Sequence, residues 1–340
     1  MLAKYTKRNT SIELLRLWLM VMIMVIHAYG HGSGLDSDYL YSLGADWSMV
    51  HHLGLYSLGQ CGVTGFIFIS GYYGISLRWS KVGGMVAMLA FYMAVLILVI
   101  GAYSATAILS LLGCWNNYWF VSSYLVLCLM SPVINKGLEC LDKRQLGLLV
   151  LALLYYEYVG NFIWKANSQD AVFLLTIFLS ARFTRLYIIP SLNSGNWEKS
   201  RTWLLGISLL SGMALFILPI GFSMLGFVKL NSWFISNNNI LLLIFSASLV
   251  MALDSVRFTN RFVNYLAASA LAIYILTDNG FVRVRLDPWL LREMLSGIAG
   301  YGYILLIALC CLLIDRVRAL FFDLVKVTIS KIQVNPKHET

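Results

Sequence analysis

Long apolar runs separated by short polar segments dominate this chain. Ten of them approach membrane-spanning length, at residues 13–30, 53–76, 84–104, 117–135, 146–161, 171–188, 203–224, 238–254, 263–281 and 297–315. A helix of roughly 17–25 apolar residues crosses the hydrocarbon core of a bilayer, and helices satisfy their own backbone hydrogen bonds there. The pattern therefore predicts an all-α, polytopic integral membrane protein with about ten transmembrane helices.

The composition supports this prediction. Of the 340 residues, 59% are hydrophobic and only 12% are charged, whereas a soluble domain carries about 25% charged residues. Length alone would suggest about two soluble domains, but the repeated apolar runs favour one transmembrane domain over residues 1–318. Residues 319–340 begin apolar and end basic and polar. We interpret them as a cytoplasmic tail that lies on the membrane surface and then becomes disordered.

The distribution of basic residues predicts the orientation. With the N-terminus in the cytoplasm, the predicted outer segments hold five of the 25 Lys and Arg residues, which leaves twenty inside. Cytoplasmic loops of membrane proteins are rich in Lys and Arg. We therefore expect both termini of a multi-pass membrane protein in the cytoplasm, and we attribute the net charge of +9 to topology instead of nucleic-acid binding. The five outer residues are Lys165, Lys229, Arg283, Arg285 and Arg292.

Two ionisable residues interrupt the first apolar run. Arg16 and His27 are separated by ten apolar residues, which is close to three helical turns, so both lie on one helix face about 16 Å apart along its axis. Ionisable groups inside a span usually mark a functional site. The alternatives are that Arg16 extends to the lipid headgroups and that His27 makes an interhelical hydrogen bond.

Other charged residues fall at the same two depths. Glu157 and Asp278 lie near the predicted outer ends of their runs, where either could orient His27 and raise its basicity; alternatively, both lie in water at the interface. Arg78 and Lys81 follow the second run on the inner side. With Arg16 they suit an anion site, although loop cations often reflect topology alone. Inner cations and an outer imidazole suit a long anionic cofactor that enters from the cytoplasm.

Four segments, in order, resemble the acyltransferase-3 family of polytopic membrane acyltransferases and cover about residues 8–280. The first run, SIELLRLWLMVMIMVIH, resembles the family's span with Arg, ten residues and His, in which Glu13, Arg16 and His27 match. The others are GVTGFIFISGYYGI (62–75), NYWFVSSYLVLCLMSPVIN (117–135) and LAIYILTDN (271–279). Two positions depart from the family pattern: its Arg-x-x-Arg reads Arg78-Trp-Ser-Lys81, and its second histidine is replaced by Thr277.

The resemblance implies transfer of an acetyl or similar acyl group from acyl-CoA to a hydroxyl of a cell-surface glycan or lipid-linked sugar. It implies that His27 is catalytic and that Arg16, Arg78 and Lys81, with Glu13 beside them, hold CoA. His27 would act as a general base or carry the acyl group covalently. A transporter or flippase for a sugar or lipid-linked intermediate is the alternative, because it also needs intramembrane polar groups. A catalytically inactive assembly partner is a third hypothesis.

The remaining candidate residues carry weaker signals. We expect no metal, because His31, His51 and His52 show no compact ligand spacing. The six cysteines mostly lie in or beside apolar runs, which indicates buried free thiols. The loop 30–52, with Asp36, Asp38 and Asp46, is a candidate acceptor-binding segment. The sequence leaves the acceptor, the acyl group and the oligomeric state open.

Overall fold

The computed structural model describes residues 8–32, 50–100, 118–160, 169–227, 230, 233–234 and 236–334. Within these ranges the regular secondary structure is helical and contains no strand. The expectations for Asp36, Asp38 and Asp46 lie outside the described residues, as do those for residues 335–340 of the tail.

Fourteen α-helices and two π-helical turns make up the described chain. They are α1 (Thr10–Gly30), α2 (Val50–Gly59), α3 (Cys61–Tyr73), α4 (Trp79–Ile100), α5 (Trp119–Cys140), α6 (Lys143–Leu154), a π-turn (Tyr155–Val159), α7 (Ala171–Phe183), a second π-turn (Thr184–Ile188), α8 (Ile189–Asn193), α9 (Trp197–Met224), α10 (Ile240–Asp254), α11 (Arg261–Ala267), α12 (Ala270–Thr277), α13 (Gly280–Ser296) and α14 (Ala299–Val334).

The described residues confirm a helical protein with several helices of membrane-spanning length. Six stretches are long and apolar enough to cross a bilayer: Thr10–Gly30, His52–Tyr73, Trp79–Val99, Trp119–Cys140, Ala171–Leu192 and Trp197–Met224. A seventh is formed if Arg261–Thr277 and Gly280–Ser296, which meet at 92°, are one bent span. The other predicted runs fall on α6, α10 and α14, but ten crossings and cytoplasmic termini stay predictions.

Helix α3 lies at the centre of the bundle, between α1 and α7. Two glycines of α3 allow the close approach to α1: a Cβ at Gly62 would lie 2.5 Å from Ile23 Cγ1, and one at Gly65 would lie 2.7 Å from Leu19 Cδ2. Gly71 meets α7 in the same way. Small residues let helix backbones approach closely inside a membrane, where packing contacts drive helix association. The bundle therefore holds α1, which carries both Arg16 and His27, against its central helix.

A bend between α12 and α13 places polar groups inside the bundle. Asp278 is the C-cap of α12, and the side chain of Asn279 caps α13 by accepting a hydrogen bond from the amide of Phe281. The amide nitrogen of Asn279 also donates to the hydroxyl of Tyr118, at 2.9 Å. The Tyr118 hydroxyl in turn donates to the carbonyl of Ile275, also at 2.9 Å. These contacts fix the bend and hold the Asp278 side chain inside the protein.

The cysteines differ in part from expectation. Cys61, Cys128 and Cys311 are buried free thiols, whereas Cys140 and Cys310 are exposed. The expectation of burial was therefore wrong for these two, because Cys140 ends α5 and Cys310 lies on an outward face of α14.

We expect Gly71→Ala to destabilise the bundle. The added Cβ would lie 2.6 Å from the backbone oxygen of Phe178 and 2.8 Å from the Cβ of Ala181, so α3 and α7 must separate, at a cost of about 1–3 kcal/mol. Gly206→Ala is the matched control, because no atom lies within 4 Å of its Cβ position. Thermal unfolding in detergent should show a lower midpoint for Gly71→Ala alone. Equal midpoints would contradict this packing.

Exposed thiols test the predicted orientation. Cys140 is the last residue of α5 and lies on the predicted cytoplasmic side, so a membrane-impermeant maleimide should label it in inside-out vesicles and not in spheroplasts. Cys140→Ser should remove that labelling. Cys114 lies in a predicted outer segment, so it is replaced by Ser as well. In this double-Ser background, Ser296→Cys at the exposed end of α13 should be labelled from the opposite side. Labelling of both positions from one side would refute the orientation.

Candidate functional site

Asp278 brings together three charged or titratable side chains at the α12–α13 bend. Its Oδ1 lies 3.7 Å from His27 Nδ1, 3.8 Å from His31 Nε2 and 3.4 Å from Arg283 Nη1. Asp278 is only 3% exposed. Helix α1 supplies His27, and its C-cap His31 lies four residues later on the same face. Helix α13 supplies Arg283.

His27 is held by packing more than by hydrogen bonds. Its ring lies 5.2 Å from that of His31 and 6.0 Å from that of Tyr274, between ring centroids. Its Nδ1 is buried and has no hydrogen-bond partner, since 3.7 Å from Asp278 exceeds hydrogen-bond length. The lone pair or proton of this nitrogen is therefore available to a bound group.

The structure distinguishes the two carboxylates that the sequence left as alternatives. Asp278 lies beside His27, whereas Glu157 lies on the first π-turn, and neither of its carboxylate oxygens has a hydrogen-bond partner. The Glu157 backbone carbonyl accepts a hydrogen bond from Asn238 Nδ2, at 2.9 Å. Both carboxylates are buried, so neither lies in water at the interface. Geometry supports Asp278, and gives Glu157 no contact with the imidazole.

Thr277 stands where the family pattern has a second histidine. Its hydroxyl donates to the carbonyl of Ile273 at 2.7 Å and is therefore engaged in its own helix. The second histidine near Asp278 is His31, the C-cap of α1.

All four predicted inner residues line one cavity of about 1070 Å³, namely Glu13, Arg16, Arg78 and Lys81. Four further charged side chains line the same cavity: Arg8, Arg185, Asp254 and Arg257. Together these are six cations and two carboxylates. Such an excess of positive charge favours a polyanionic ligand.

Arg16 is fixed at the wall of this cavity. Its Nη1 lies 3.1 Å from Glu13 Oε2, and its guanidinium lies 5.1 Å from the centroid of the Phe66 ring. Glu13 also pairs with Arg8, at 3.4 Å. The contacts explain why an acidic residue precedes Arg16: Glu13 orients two cations, and one carboxylate cannot neutralise both. Arg16 therefore faces the cavity instead of simply extending to the headgroups.

Sequence reasoning missed two parts of these sites. Arg185 and Asp254 pair at 3.1 Å beside the cavity, and Tyr73 donates to Asp254 at 2.5 Å. Nothing in the local pattern connects α10 with the second π-turn. The sequence did contain a signal for His31, because His27 and His31 have the i,i+4 spacing of two ligands on one helix face.

The described residues contain one group with the composition of a metal site. His27, His31 and Asp278 each offer one ligand atom, and these atoms lie within 4.8 Å of one another.

Comparisons with known proteins found no match: no family model, no curated protein and no solved structure matches the chain.

Proposed function

We propose that this protein is a membrane O-acyltransferase. It moves an acetyl or similar acyl group from acyl-CoA on the cytoplasmic side to a sugar hydroxyl of an envelope or exopolysaccharide glycan. One observation carries the proposal: the same helix face of α1 borders the cationic cavity at Arg16 and reaches the partly buried imidazole of His27 about three turns later. The resemblance of four ordered segments to the acyltransferase-3 family supports the same reaction.

The cavity suits the nucleotide end of CoA. Phosphates pair strongly with guanidinium groups through charge-assisted, often bidentate hydrogen bonds. Arg16 and Arg78 offer such groups, and Lys81 offers a point charge. The pantetheine arm has a length of the same order as the separation of about 16 Å between Arg16 and His27 along α1. A CoA anchored in the cavity would thus present its thioester near His27.

The chemistry at His27 is general-base catalysis. The imidazole accepts the proton of the sugar hydroxyl while the hydroxyl oxygen attacks the thioester carbonyl. The C–S bond then breaks, an ester forms, and the proton passes from the imidazolium to the departing CoA thiolate. Asp278 acts as a positioning residue, because its negative charge stabilises the imidazolium that forms.

The alternative is a transporter or flippase for a sugar or lipid-linked intermediate. Buried ionisable groups are compatible with it, but it gives no reason for a polyanion site connected by one helix to an imidazole. Specific binding of acetyl-CoA distinguishes the two, since a transporter of sugars requires none.

Replacing the base should stop the reaction without removing the cofactor site. We expect His27→Gln to lower acetyl transfer at least about 10²-fold, the usual contribution of a general base, while acetyl-CoA binding is retained. The measurement is transfer of radiolabelled acetyl to surface glycan in membranes, with mass spectrometry of the product. If His27→Gln transfers at the normal rate, the assigned role is wrong.

Removing one cavity cation should weaken CoA binding. We expect Arg16→Ala to raise the Kd for acetyl-CoA about 10–100-fold, since hydrogen bonds to charged groups are worth about 1.5–3 kcal/mol. Arg292→Ala is the control, because that side chain is 73% exposed and lies outside the cavity. Equilibrium binding in detergent measures both. Absence of specific acetyl-CoA binding in the wild type would favour the transporter.

A further inference from the structure

We infer that His27, His31 and Asp278 form a binding site for a divalent transition metal ion, of which Zn²⁺ fits best. We also infer that its occupancy inhibits acyl transfer. The metal site itself is independent of the proposed function, whereas the inhibition rests on it.

The geometry of the three side chains is close to that of a zinc site. Their ligand atoms lie within 4.8 Å of one another. Around a zinc ion with ligands at 2.0–2.2 Å, tetrahedral ligand atoms are about 3.3 Å apart. Closing the site therefore requires shifts of roughly 1 Å, which side-chain rotation supplies. Two histidines at i and i+4 place both imidazoles on one face of α1, toward the Asp278 carboxylate.

The donor set fits the same class of ion. Imidazole nitrogens and one carboxylate are typical zinc ligands, and three protein ligands leave a fourth position open. The buried Nδ1 of His27 has no hydrogen-bond partner. Buried polar atoms are normally paired, so this nitrogen indicates a missing ligand. The His31 side chain is 46% exposed and provides the route by which an ion enters.

The surrounding charges allow a cation but add a competitor. Arg283 lies 3.4 Å from Asp278 Oδ1 and must leave this oxygen when a metal binds. Its side chain is 31% exposed, so it has room to move away. Asp287, four residues later on α13, is buried, and its Oδ2 has no hydrogen-bond partner. Asp278 and Asp287 thus place two carboxyl groups near one guanidinium.

Metal binding and acyl transfer require the same lone pair. A metal ion on the imidazole of His27 takes the electrons that would accept the proton of the sugar hydroxyl. A zinc-loaded protein should therefore keep its CoA site and lose its base.

Zinc binding is tested on the full chain in detergent, with a purification tag that lacks histidine. Isothermal titration with zinc sulfate should show one ion per chain. His31→Ala and Asp278→Asn should each weaken binding at least tenfold. Arg283→Gln should strengthen it, a change that loss of folding would not produce. Cys140→Ser, which removes an exposed thiol outside the site, should leave binding unchanged. Unchanged zinc binding in both His31→Ala and Arg283→Gln would overturn the metal site.

Acetyl-transfer assays test the inhibition separately. Added zinc should lower the rate of the wild type in proportion to occupancy, and a chelator should restore it. Zinc binding without inhibition would overturn the regulatory half of the inference. Loss of activity on chelation would overturn it too, and would contradict His27 as the free base. If zinc binds with the expected variant pattern but no acyl transfer occurs under any condition, the proposed function and the inhibition fail and the metal site stands.

Discussion

The cost of burying ionisable side chains in an apolar bundle is the constraint on which this structure depends. A charged group taken out of water needs a partner, and inside a membrane that partner must come from another part of the protein. Arg16 pairs with Glu13, which lies one turn earlier on the same helix. His27 lies beside Asp278, which is 251 residues further along the chain. The two ends of α1 are therefore stabilised in different ways, one locally and one through the tertiary fold.

The bend between α12 and α13 provides the partner that His27 needs inside the bundle. A straight helix through residues 270–296 would direct Asp278 along one regular face, whereas a break of 92° turns the carboxylate toward α1. The Asn279 side chain satisfies one of the amides that the break exposes, that of Phe281. A second buried carboxylate, Asp315, accepts hydrogen bonds from Tyr92, Ser269 and Arg318. It connects α4, α14 and the turn before α12, and so holds the helix whose C-cap is Asp278.

Reasoning from the sequence predicted the helices and the important side chains better than it predicted which side chains pair with each other. Periodicity and composition predicted the helices and the shared face of Arg16 and His27, because both depend on neighbours within a few turns. The grouping of Arg16, Arg78 and Lys81 at one cavity was also anticipated, since all three lie near the same predicted membrane depth, whereas Glu13 was added from the family resemblance. The choice between Asp278 and Glu157 was out of reach, because depth alone cannot tell which of two distant helices packs against α1.

The positive-inside pattern does not account for Arg283, whereas its contact with Asp278 does. In the predicted orientation it is one of three arginines, with Arg285 and Arg292, that lie outside after the run 263–281, and it pairs with Asp278. Its guanidinium lies 3.4 Å from the Asp278 oxygen that also faces His27 and His31. The same charge opposes a bound metal ion. Arg283 therefore competes with the two imidazoles, and with the proposed metal ion, for the Asp278 carboxylate.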